Sequence, residues 1–113
     1  MSSNFRRGDL LLVDLAFASG AGSKKRPVLV LADLDDLDLL VLPVTSHPAR
    51  GEFDCAMKSW SAAGLKLPST VRINKFATVS KSAVIKKLGS LKSADAGDVN
   101  TLLKRFCERL LIT

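Results

Sequence analysis

Residues Arg26–Thr45 read RPVLVLADLDDLDLLVLPVT. Two short apolar runs, Pro27–Ala32 and Leu39–Thr45, flank an acidic stretch, Asp33–Asp38. Each run is rich in valine and leucine and has the length of a strand, and the acidic stretch between them is a turn. The two strands then run antiparallel, so the start of the first lies beside the end of the second. Pro27 opens its strand, where a missing N–H is tolerated; Pro43 lies inside the other and implies an edge position or a bulge.

Towards the N-terminus, Gly8 punctuates the chain and Asp9–Leu15 (DLLLVDL) is another strand. Ala18–Lys25 (ASGAGSKK) is a glycine- and serine-rich loop with a basic end. Towards the C-terminus, Glu52–Met57 is a short strand and Ser59–Leu67 a loop with some helical turn. Thr70–Asn74 (TVRIN) alternates as a strand, and Lys75–Val79 extends it after a bend. Ser80-Lys81-Ser82 is a turn, and Val84–Leu88 is a last strand ended by Gly89.

Val99, Leu102, Leu103, Phe106 and Leu110 then fall on one helix face. Ser93 is the N-cap, Asp95 and Asp98 lie in the opening turns, and Lys104, Arg105 and Arg109 follow the macrodipole. Five or six short strands followed by one helix predict a mostly β fold, a small barrel or sandwich with the helix over one opening. With 113 residues, one domain spanning 1–113 is expected. The chain has no internal repeat.

Lysine and arginine number 17 against 11 acids, a net charge of +6. Such an excess favours polyanionic partners, although a basic surface that merely keeps the chain soluble has the same composition. Hydrophobic residues make up 47% of the chain, and the mean hydropathy is +0.19. A small domain this apolar is expected to bury surface against a partner. The apolar runs are too short to cross a bilayer, and residues 1–8 lack the apolar core of a signal peptide, so a cytoplasmic location is expected. Cys55, Cys107 and His47 have no metal-site spacing and make no disulfide scaffold. We therefore expect reduced, packed thiols, no metal and no cofactor.

An ordered series of short motifs runs through these elements. It begins with Arg7-Gly8-Asp9, Gly22-Ser23 before Arg26-Pro27-Val28-Leu29-Val30, and Pro43-Val44-Thr45-Ser46. It continues with Ala63–Ser69, Val71–Lys75, Ala77–Lys81 and Ile85–Gly89. The series resembles the MazF/PemK family of toxin–antitoxin ribonucleases, from about Arg7 to about Leu103; each motif is weak alone, and their order is specific. The resemblance implies an SH3-like small β-barrel of the MazF/PemK/CcdB type with a C-terminal helix, usually dimeric. It also implies metal-independent cleavage of single-stranded RNA at short motifs, and a cognate acidic antitoxin. By the same resemblance, Arg26 and Thr45 are the catalytic pair. Many members carry Gly-Ser-Glu-Gln and a longer loop before the arginine; here the loop reads Gly22-Ser23-Lys24-Lys25-Arg26.

Metal-free RNA cleavage uses the neighbouring 2′-hydroxyl as nucleophile, so the protein must stabilise charge on the phosphorane and manage two protons. A guanidinium suits the first task, because its fork matches phosphate oxygens and it keeps its charge. Thr45 is able to donate a hydrogen bond to a phosphoryl oxygen. Taken alone, an arginine before a strand is an ordinary solvated charge and a threonine at a strand end an ordinary turn residue. For RNA contacts the candidates are Ser23, Lys24, Lys25, Ser46, His47 and Phe17. The two lysines would hold the backbone, and Phe17 would stack on a base. Histidine exchanges a proton near neutral pH, so His47 fits either a proton carrier or an exposed loop residue. Trp60 reads as a packing or partner-binding anchor. Two other functions fit the same elements: a gyrase-poisoning toxin, for which Arg109–Thr113 would matter more than Arg26, and an inactive SH3-like RNA-binding module.

Overall fold

The computed structural model describes residues 4–16 and 22–112. The described residues form seven strands: β1 (Asp9–Ala16), β2 (Ser23–Asp33), β3 (Asp38–Thr45), β4 (Asp54–Ala56), β5 (Thr70–Arg72), β6 (Ala77–Ser80) and β7 (Val84–Ser90). A 3-10 turn, Lys81–Ala83, precedes β7, and the helix α1 spans Ser93–Ile112. All pairings are antiparallel, in the order β4-β5-β3-β2-β1-β7, with β6 also on β3. The mostly β class with a C-terminal helix is therefore as expected.

The expected barrel is not closed by hydrogen bonds. Among the described strands, β4 pairs only β5 and β7 pairs only β1. The segment 57–69 supplies a backbone contact with β7 where a further strand pairing would be needed. The contact is so tight that a Cβ on Gly64 would fall 2.1 Å from the Leu88 carbonyl oxygen, and one on Gly89 would fall 2.0 Å from that of Ala63. Gly89 thus continues β7, opposite Leu10, and does not end it. It is glycine because two backbones meet there.

Strands β1, β2 and β3 are apolar at successive positions because both of their faces are buried. Leu10, Leu29, Leu42 and Val44 join a core with Phe53, Val71, Ile73 and Val99, against which Leu102, Leu103 and Phe106 of α1 pack. Their neighbours Leu11, Val13, Val28, Val30, Leu39 and Val41 join Val79 in a second core on the opposite face. A strand buried on both sides loses the polar half of its alternation.

The two prolines sit differently from the expectation. Strand β2 starts at Ser23, so Pro27 is internal, opposite Leu12 of β1. Its pairing with β3 begins only at Val28, which leaves the other side of Pro27 without a ladder partner. Pro43 lies on a strand flanked on both sides. On the far side, β6 pairs residues 38–41 and β5 pairs 44–45, so Pro43 falls in the interruption between them. A proline costs no ladder hydrogen bond at either place. As expected, β6 continues the line of β5 along β3 after a bend.

The helix begins at Ser93 and carries Val99, Leu102, Leu103 and Phe106 into the core. Phe106 meets Phe53 and Phe76 edge-on, with centroids 5.1 and 5.6 Å apart. Arg109 stacks over Phe53 and forks both carboxylate oxygens of Glu52 at 2.9 and 3.0 Å. That bridge holds the Glu52 carboxyl below the usual carboxylate range. Leu110 departs from the predicted buried face. A 20-residue helix is about 30 Å long, and its last turn runs past the sheet, leaving Leu110–Ile112 exposed. Both cysteines are free, and burial pushes the Cys55 thiol upward in pKa, with Asp98 and Asp95 adding to the effect. No helix is long and apolar enough to cross a membrane among the described residues.

Candidate active site

Beyond the end of the β2–β3 ladder, residues of both strands line a groove. The last outer pair is Val28–Pro43. Continuing that register by two residues sets Arg26 opposite Thr45, with both side chains on one face of the sheet. Arg26 is exposed and Thr45 half-buried. Each lines the same two clefts, so together they form the ridge between them.

The first cleft holds about 290 Å³, with Lys25, Arg26, Lys66 and Lys86 around an apolar floor that includes Leu12, Val44, Leu65 and Leu88. The second holds about 390 Å³ and adds His47 and Arg72 over Pro27, Val28 and Val79. Neither has a carboxylate among the described residues that line it. A smaller recess of about 120 Å³ continues past His47 to Arg50 and Arg72, where Asp54 is the one acid in the lining. Asp54 is already engaged: it accepts the Arg50 backbone N–H at 3.0 Å and lies 3.8 Å from the Arg72 guanidinium. The groove is thus an acid-poor, cationic channel with apolar walls, suited to a chain of phosphates carrying flat bases.

Thr45 is oriented by its neighbours. It pairs with Thr70 of β5, and its Oγ1 accepts the His47 backbone N–H at 3.2 Å. With that lone pair occupied, its hydroxyl hydrogen is free to point into the groove as a donor. Ser46 lines the first cleft and His47 the second, so the two residues after Thr45 lie on opposite sides of the ridge.

The sequence-predicted residues divide accordingly. Lys25, Arg26, Thr45, Ser46 and His47 come together along the groove. Ser23 and Lys24 lie further out on β2, opposite Ala16 and Leu15, and line neither cleft. Phe17 lies outside the described residues. Sequence reading missed Lys66, Lys86, Arg50 and Arg72. Lys66 stands in the Ala63–Ser69 motif and Arg72 in TVRIN, but nothing in their local sequence aims them at Arg26, 40 and 46 positions away. Trp60 packs against the core, as its packing reading anticipated. Among the described residues, no three His, Cys, Asp or Glu side chains gather as metal ligands would.

A family model described as PemK-like, MazF-like toxin of type II toxin–antitoxin system matches residues 6–107. A search of curated proteins gives no match. Among solved structures, the chain is similar to a Deinococcus radiodurans MazF in a MazE–MazF crystal, at a TM-score of 0.76 and 17% identity over 95% of this chain and 98% of that one. It is also similar to a mycobacterial endoribonuclease solved with its cognate antitoxin, at 0.70 and 20% over 86% and 88%. A third is the Mycobacterium tuberculosis toxin MazF-mt6, at 0.70 and 18% over 86% and 93%. At such identities the structures establish a shared fold.

Proposed function

We propose, from the premise that the chain belongs to the PemK-like, MazF-like toxin family of type II toxin–antitoxin systems, that it is an endoribonuclease acting on single-stranded RNA at the Arg26–Thr45 ridge. The observation that carries this reading is the pair itself: a guanidinium and a free hydroxyl donor, side by side between two acid-free clefts.

In this mechanism the RNA backbone crosses the ridge and the flanking nucleotides enter the clefts. The 2′-oxygen attacks the adjacent phosphorus, the bond from phosphorus to the 5′-oxygen breaks, and a 2′,3′-cyclic phosphate and a 5′-hydroxyl result. Arg26 neutralises the charge that grows on the phosphorane oxygens, and Thr45 donates to one of them, holding the phosphate in line. The 2′-hydroxyl gives up one proton and the 5′-oxygen receives one; His47, beside the ridge, is the side chain suited to carry it. Lys25 holds backbone phosphates, and Lys66, Lys86 and Arg72 extend the track. The fixed charge of Arg26 takes the place of a metal in stabilising charge.

The test is cleavage of a defined single-stranded RNA by purified protein in excess chelator. Cutting with a cyclic-phosphate product is the expected result. Equal cutting of a substrate with 2′-deoxyribose at the scissile position refutes the mechanism. An inert protein that still arrests growth supports the gyrase-poison alternative instead. The same reading includes a cytoplasmic homodimer, neutralised by an acidic antitoxin laid along the cationic groove. Such an antitoxin should associate more slowly as salt rises. Exposed apolar side chains such as Leu37, Leu111 and Ile112 support a partner surface, and light scattering checks the dimer.

A further inference from the structure

One wall of the first cleft is the segment 57–69, which presents Lys66 and Leu67 to the groove. The segment is closed at its base by the Met57 N–H donating to the Ser69 carbonyl at 2.9 Å. Inside it, the Ala63 N–H donates to Ser59 and the Leu65 N–H to Trp60, each at 3.0 Å. Ala63 and Leu65 are buried, and Gly64 lies backbone to backbone on β7. These bonds tie the segment to itself, and the Gly64 contact ties it to β7.

Its other anchor is Asp95. A carboxylate in the first turn of a helix ordinarily accepts its own helix's opening N–H groups. Here the Asp95 and Ala96 N–H groups donate to the Lys92 carbonyl at 3.0 and 2.8 Å, and the Asp95 carboxylate reaches outward. One oxygen accepts the Lys58 N–H at 2.7 Å and the other the Ser59 N–H at 2.9 Å. The side chain is fully buried, and Lys58 also reaches Asp98 at 3.3 Å. A buried carboxylate tolerates its surroundings only while both oxygens are satisfied, so it fixes those two consecutive peptides firmly. Ser59 in turn receives the Ala63 N–H, next to the Gly64 contact.

We infer that Asp95 is a positioning residue for RNA: by gripping the backbone of Lys58 and Ser59 it sets where Lys66 and Leu67 stand in the cleft. It therefore controls substrate affinity and not the chemical step on the far side of that cleft. The inference rests on the nuclease reading.

The test is Asp95→Asn in the full chain, with steady-state cleavage of a single-site RNA at a temperature where circular dichroism shows the variant folded. An amide has one acceptor oxygen, and its NH₂ faces a donor, so one of the two bonds is lost. KM should rise about tenfold while kcat stays within about twofold. In a Lys66→Gln background the same change should raise KM by much less, because both act through one contact. A merely structural role would lower the melting temperature and leave KM alone, and that result overturns the inference. Should Asp95→Asn fail to fold, hydrogen exchange of the wild-type chain decides. RNA with 2′-deoxyribose at the scissile position should slow exchange across 57–69, and unchanged exchange there overturns the inference. A wild-type chain that cuts no RNA removes the nuclease reading and this inference together; a wild type that cuts, beside an Asp95→Asn variant of normal KM, removes this inference alone.

Discussion

Replacing Arg26 by alanine should separate catalysis from stability. The side chain is exposed on β2 beyond the last β2–β3 pair, and none of the ion pairs among the described residues involves it. Its loss opens no cavity and strands no buried partner, so folding stability should change by less than about 0.5 kcal/mol. Catalysis should respond very differently. Loss of one preorganised donor facing a developing oxyanion costs about 10²–10³ in rate, equivalent to about 2.7–4 kcal/mol. Arg26→Lys keeps the charge and loses the fork, and should fall between alanine and the wild type. The assay is single-turnover cleavage of a fluorogenic RNA in chelator, with thermal melts of the same preparations. A rate for Arg26→Ala within about threefold of the wild type would refute the assignment of Arg26 to the phosphorane. A large fall in melting temperature alongside the lost rate would mean that the exposed, unpaired reading of the side chain is mistaken.

Four further outcomes follow from the same geometry. Thr45→Ala should slow cleavage by a factor similar to or somewhat below that of Arg26→Ala. Lys66→Gln should reduce the slope of log affinity against log salt for single-stranded RNA by about 0.7, and an unchanged slope would place Lys66 off the phosphate path. Gly89→Ala drives a Cβ to 2.0 Å from the Ala63 carbonyl oxygen, so overpacking of about 2–3 kcal/mol should lower the melting temperature by about 10 °C; an unchanged melt would contradict the contact. The Glu52 carboxyl is held down chiefly by its hydrogen bonds to Arg109. Its contribution is therefore present above the unfolded carboxylate pKa and lost as pH falls through the lowered value. Wild type and Glu52→Gln should differ in melting temperature at neutral pH and converge in acid, by a modest amount because the pair is exposed.

Strand and helix identities were legible because they depend on neighbours in sequence. The runs at Asp9–Leu15, Pro27–Ala32 and Leu39–Thr45 and the 3.6-residue rhythm of Val99–Phe106 are local patterns, and local backbone sterics and burial act on them directly. The juxtaposition of Arg26 and Thr45 followed from the same information, since an acidic turn between two strands brings those ends together. The catalytic role proposed for them, by contrast, rests on the ordered motif series and not on either residue alone.

Tertiary structure decided what depends on partners distant in the chain. Pro27 and Pro43 mark gaps in ladders whose other strands are set by β1, β5 and β6, so neither proline announces its setting locally. Gly89 reads as a strand end until Gly64 is laid against it. Asp95 reads as a dipole-matching acid until the fold carries Lys58 and Ser59, 37 and 36 residues away, onto its two oxygens. Lys66, Lys86 and Arg72 were anonymous surface charges for the same reason. A charge becomes part of a groove only when separate strands and loops converge, and convergence is settled by which apolar faces bury one another across the whole chain.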